Sequence, residues 1–166
     1  MTTYTYLTPK DTREIQNKIV EWCNNNLRDP YTAATSNTRS TFAYGDDFKL
    51  QGVFPLIHVD ISNYNPERIT NSKSTYLERE EHSFIIYYHC QLNHRFVFND
   101  NGLTLVNEAQ VMKYLQYIKT TMKANITDFN DYFNNATFGA ISKPARIPKT
   151  SIFIGMIPLT VYTYVR

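Results

Sequence analysis

Two apolar, alternating segments dominate the chain: residues 53–61 (VFPLIHVDI) and residues 82–92 (HSFIIYYHCQL). In the first, Val53, Pro55, Ile57, Val59 and Ile61 fall on one side, and Phe54, Leu56, His58 and Asp60 on the other. In the second, Phe84, Ile86, Tyr88, Cys90 and Leu92 oppose Ser83, Ile85, Tyr87, His89 and Gln91. A two-residue period rich in Tyr, Ile, Phe and Val predicts two β-strands. The polar connection between them, residues 62–81 (SNYNPERITNSKSTYLEREE), far exceeds the ~2–5 residues that a hairpin needs. It is expected to form a solvated arm at the tip of a long hairpin, of the kind that reaches a partner.

The period changes to helical on either side of this hairpin. Ile15, Ile19, Trp22 and Cys23 form one stripe on a helix over residues 11–27, with Thr8 as its N-cap and Pro9 at its first position. Asparagines at 24, 25 and 26 are expected to fray it and Pro30 to stop it, while Trp22 packs it on the sheet. Val111, Leu115, Ile118 and Met122, widened by Tyr114 and Tyr117, predict a second helix over residues 107–123, opened by a capping box at Asn107.

Shorter signals fill the remainder. Residues 1–7 read as a tail or an added strand. Residues 41–44 predict a short strand closed by a turn at Gly45, Asp46 and Asp47. Residues 96–98 are an apolar patch closed by a turn at 100–102, and residues 125–135 an irregular aromatic linker. A strand is expected over 137–141, and a basic loop over 143–149. The last sixteen residues form a β segment in which Pro158 predicts an edge, a bulge or a break. The expected fold is therefore a single α+β domain over residues 1–166. It has a mostly antiparallel sheet, two helices packed on one face and a long protruding β-hairpin arm at 62–81.

Composition narrows the partners. The 166 residues are 42% hydrophobic and 19% charged, with a net charge of +2, too mild to argue for nucleic acid or an anionic membrane. No apolar run approaches the ~18 residues of a membrane span, and the first residues lack a secretory pattern, so a soluble protein made in the cytoplasm is expected. Thirteen tyrosines suit either contact surfaces or an AT-rich codon bias. Cys23 and Cys90 read as buried thiols, not a disulfide or metal pair.

Candidate chemistry is sparse. His58 and Asp60 share a face, and a cross-strand His89 can join them, which is the one constellation resembling an acid–base or metal site. It has no nucleophile, and phosphate-binding glycine loops, GxSxG, HExxH and paired CxxC are absent from the sequence. The expectation is that the protein is not an enzyme and takes no cofactor or metal. Arg68, Lys73 and Arg79 of the arm and Lys143, Arg146 and Lys149 of the later loop offer phosphate contacts. In the arm, however, Glu67, Glu78, Glu80 and Glu81 offset them, which suits a protein surface better.

The order of these segments resembles the tail-terminator (tail-completion) proteins of long-tailed bacterial and archaeal viruses. An amphipathic first helix precedes the strand FPLIHVDISNYNPERI, similar to that family's apolar-Pro-x-apolar-x-Val-x-apolar strand leaving into a polar turn. A long arm, the Tyr-rich returning strand HSFIIYYHC, a helix led by Asn and Glu and a final β-hairpin complete the pattern, from about Lys10 onward. The resemblance implies a non-enzymatic virion subunit forming a ring, commonly a hexamer, at the head–tail junction. Its partners would be copies of itself, the tail-tube protein and a neck or head-closure protein, with no membrane and with DNA only passing through the lumen. Tyr64, Glu67, Arg68, Lys73, Tyr76 and Arg79 of the arm, with Tyr162 and Tyr164 of the last strand, are the candidate subunit and tube contacts. Another neck protein (head-closure or minor capsid), or a small nucleic-acid-binding or nuclease-like α+β protein using His58, Asp60 and His89, are the alternatives.

Overall fold

The computed structural model describes residues 5–28, 42–49, 54–63, 67–70, 78–92, 96–100 and 103–165, with the backbone alone for 67–70, 96–100 and 103–105. The fold is α+β. Helix α1 (Thr12–Asn26) is followed by strands β1 (Ala43–Tyr44), β2 (Leu56–Ile61), β3 (Glu67–Thr70) and β4 (Glu78–Gln91). A hairpin of β5 (Phe96–Asp100) and β6 (Leu103–Leu105) leads into helix α2 (Asn107–Ala124). A 3-10 turn (Ile126–Phe129), β7 (Asn135–Phe138), β8 (Ala145–Arg146) and β9 (Ile152–Val165) close the chain. The main sheet runs β1-β2-β4-β9-β7, with β3 also on β4 and β8 also on β9. It is mixed, because β1 lies parallel to β2 while the other pairs are antiparallel.

The β4–β9 ladder is the spine, with fourteen consecutive pairs from Glu78 opposite Val165 to Gln91 opposite Ile152. Alternation on both strands sends Phe84, Ile86, Tyr88, Ile157, Leu159 and Val161 to one side, where each is buried. Helix α1 meets that side through Thr12, whose Oγ1 lies 2.9 Å from His82 Nδ1. Helix α2 meets it through Tyr114, stacked on Tyr88 with ring centroids 4.5 Å apart. His82 and Tyr88 alternate onto the same side of β4, so both contacts fall on one face. Gly155 lets α2 approach closely: a Cβ there would lie 2.6 Å from Val111 Cγ1 and 3.0 Å from Leu115 Cδ1.

Both helical stripes read from the sequence are buried, yet their ends differ from expectation. The N-cap of α1 is Asp11, not Thr8. Asp11 Oδ1 accepts from the Arg13 N–H at 2.8 Å, and Glu14 accepts from the Asp11 N–H at 2.9 Å. The capping box expected at Asn107 does not form, since Val106 is the N-cap without a side-chain bond and Asn107 sits at φ 53°. The asparagines do not fray α1. Asn24 Oδ1 accepts from the N–H groups of Phe42 and Ala43, and its Nδ2 donates to the Ala43 carbonyl, so it ties the helix to β1.

Three further expectations are corrected. Residues 125–135, expected as an irregular aromatic linker, hold a 3-10 turn and belong to the core: Phe129 and Phe133 are fully buried and stacked on each other at 4.8 Å. Trp22 packs against this segment as well, 5.4 Å from Phe129, with its indole N–H on Asp128 at 2.8 Å. The second, the arm, is partly sheet: Glu67–Thr70 pairs antiparallel with residues 81–78, which continue β4 four residues below its expected start. Glu80 is buried there, a position that polarity alone had placed in solvent.

The third correction is that β9 runs unbroken through Pro158. Backbone N–H and C=O of one strand residue point to the same side, and the Pro158 carbonyl accepts from Gly139 N–H at 2.9 Å. The missing N–H of Pro158 therefore faces the border segment, not β4. It is that segment which breaks, leaving β7 and β8 as separate pieces. Gly139 lies over the proline ring, where a Cβ would come within 3.1 Å.

Candidate functional site

The face of the sheet opposite the helices carries the chemistry that the sequence singled out. Register places His58 opposite Tyr87 and Leu56 opposite His89, so His58, Tyr87 and His89 share this outer side. The segment after β1 returns over them. Phe48 stacks flat on His58, with centroids 4.0 Å apart and planes 5° apart, and lies 5.5 Å from His89. His58 is 5.7 Å from Tyr87, and Tyr87 is 6.3 Å from His89. Four aromatic rings thus stack side by side on a surface that alternation alone would have left to solvent.

Asp60 joins this face opposite Ile85. Burial pushes His58 down from its ordinary imidazole pKa, opposed by the negative charges of Asp60, Asp46 and Asp47. His89 falls further, to about 4, first through burial and then through the neighbouring His58, against a bond to the Leu56 backbone. Its Nδ1 is buried and unpartnered. Both rings are neutral at pH 7 and act as aromatic packing. Among the described residues no three His, Cys, Asp or Glu side chains gather as a metal set. Asp46 and Asp47 form the turn expected of them: Asp46 accepts from Gln16 Nε2 and pairs with Arg13, while Asp47 accepts from the Gly45 N–H.

Beyond Tyr87, the outer face opens into a cleft of about 220 Å³ between β4, β9 and the border segment. Tyr87, Ile154 and Met156 form its floor, with Ser142, Lys143 and Ala145 along one side. At the other end of the ladder, the Arg79 guanidinium sits 4.7 Å above the Tyr162 ring and bonds Glu81 at 2.6 Å. Tyr164, opposite Arg79, is half-buried, and its N–H donates to Asn134 Oδ1. Among the arm candidates, Glu67 and Arg68 are residues of β3. Tyr64, Lys73 and Tyr76 lie outside the described residues.

The inner face also carries a polar group that no sequence motif marks. His82 is fully buried, with Thr12 on Nδ1 and Glu80 Oε2 3.7 Å from Nε2. Burial lowers its pKa, and the charge and hydrogen bond of Glu80, then Asp11, act the other way. The parity of His82 with Phe84 and Ile86 was the available signal for its inward direction. No protein-family model matches the chain, and no curated protein matches its sequence.

Proposed function

We propose that the protein is a structural virion subunit whose copies assemble into a ring at the head–tail junction, ending the tail tube and joining it to the neck. The order of segments that resembles tail-terminator proteins motivates this reading. The observation that carries it is the asymmetry of the sheet. One face is filled by both helices, while the other presents half-buried Tyr87, Ile154 and Tyr162 with exposed Met156 and no described helix over them. Surfaces of this kind gain free energy when a neighbour covers them. A closed ring needs two different self-surfaces on each subunit. The outer side of the β3–β4 end of the ladder, with Arg79 and Tyr162, is assigned to one of them.

The purified chain, examined by size-exclusion chromatography with light scattering and by negative-stain microscopy, should give a discrete oligomer with a central opening. A strict monomer at all concentrations, with no assembly onto tail tubes, would overturn this reading. Preferential binding to a capsid portal over the tube would instead make it a head-closure protein. A nuclease-like reading has one observation in its favour, the gathering of His58, Asp60 and His89 on one face. The rings of Phe48 and Tyr87 both stack on His58, however, which is packing geometry. Metal-dependent cleavage of DNA or RNA by the wild type, lost in His58→Gln and Asp60→Asn, would revive that reading.

A further inference from the structure

We propose that the cleft beside Tyr87 holds an extended, acidic segment of a protein partner, with one aromatic side chain of that segment on the floor of Tyr87, Ile154 and Met156. The inference concerns a different contact from ring closure and stands whether or not the ring forms.

Size gives the first argument. At about 220 Å³ the cleft is smaller than the ~300–1,000 Å³ of small-molecule sites and suits a single large side chain. Its floor is apolar and aromatic, and Met156, 37% exposed, is a large apolar side chain left open to solvent. A thioether beside a Tyr ring packs well on an incoming aromatic edge. The cleft is also built in advance. Ser142 N–H donates to the Met156 carbonyl and Ser142 Oγ accepts from the Met156 N–H, both at 2.9 Å, so the wall is fixed to the floor.

Charge gives the second. Lys143 stands on the rim, and exposed Arg146, in β8, and Lys149, in the turn after it, follow closely. None of the three forms an ion pair with a described residue. Arg146 Nε donates to the Thr150 carbonyl at 2.6 Å, which fixes the guanidinium without neutralising it. Residues 132–165 contain no Asp or Glu, and neither do residues 82–91 across the cleft. With a net charge of only +2 on the whole chain, this is a local surplus of cations whose complement is carboxylate. Phosphate backbones are the poorer fit, since they need a longer cationic track and gain nothing from an apolar floor.

Fluorescence anisotropy with a labelled Asp-Phe-Asp-Phe-Asp peptide tests the proposal. Asp-Gly-Asp-Gly-Asp, Lys-Phe-Lys-Phe-Lys and a ten-nucleotide oligo(dT) serve as controls. The acidic aromatic peptide should bind at least ~10-fold more tightly than any control, and its affinity should fall with added salt. Lys143→Glu and Met156→Asp should each weaken it ~10-fold or more while circular dichroism stays unchanged, with Met156→Thr replacing the second variant if it misfolds. Absence of binding to the folded wild type, equal binding of a control peptide, preference for the oligonucleotide, or folded variants that bind like wild type would each overturn it.

Discussion

The indole N–H of Trp22 donates to a carboxylate oxygen of Asp128 at 2.8 Å, joining residues 106 positions apart in the chain. The bond locks α1 to the 3-10 turn that follows α2, and the Trp22 ring covers Phe129. Trp22→Ala should therefore cost about 3–5 kcal/mol through the cavity it leaves, whereas Asp128→Ala, at an exposed partner, should cost about 1 kcal/mol. Urea unfolding followed by far-UV circular dichroism measures both. An unchanged midpoint in Trp22→Ala would show that this contact is not part of the folded protein.

Gly155 is where α2 touches the sheet most closely. Gly155→Ala should destabilise by about 1–3 kcal/mol, because the new Cβ would stand only 2.6 Å from Cγ1 of Val111, a branched, buried side chain with little room to move. Adding Val111→Ala should return part of that loss by making room. If the pair is no better than the sum of the singles, the clash is relieved elsewhere.

Acid should weaken the fold through His89. Its folded pKa, about 4, lies below the ordinary imidazole value near 6.5. Above ~6.5 both folded and unfolded forms are neutral and the group has no effect. Between ~6.5 and 4 the unfolded chain takes up the proton and the folded one does not, so stability falls as pH falls, by on the order of 3 kcal/mol. His58 and His82, also shifted down, add in the same direction. Unfolding curves from pH 7 to 4 should be flatter for His89→Gln than for the wild type; parallel curves would remove His89 from the account.

The Arg79–Tyr162 stack belongs to a surface and not to the core. Arg79→Ala and Tyr162→Ala should each change stability by only ~0.5–1 kcal/mol. In the proposed ring each should lower the self-association constant ~10-fold or more, the scale of an interface hot spot. Sedimentation at matched concentrations separates the two effects. Folded variants that assemble like wild type would move the interface away from this pair.

Periodicity carried the α+β class and most of the core: the stripes at Ile15, Ile19 and Trp22 and at Val111, Leu115 and Ile118 are all buried. It put His58 and Asp60 on one face of their strand, but whether His89 joined them depended on a register that alternation within each strand does not fix. What it missed has physical causes. A four-residue 3-10 turn is too short to show a period, so Phe129 and Phe133 looked like linker residues. Strand β3 and the start of β4 carry charged residues, and they are strands through pairing, β3 with β4 and the start of β4 also with β9. The fold of Phe48 back over His58 depends on a turn whose geometry no local pattern encodes.

Pro158 has an effect beyond its own strand. By withholding one donor from the side that meets the border segment, it prevents that border from becoming a long, straight row of open backbone groups. Such a row would template further strands and string molecules into fibrils. Sheet-to-sheet polymerisation is thereby disfavoured at that margin. In the proposed ring, copies of this chain would instead meet through side chains, whose shapes and charges can define a count and an end.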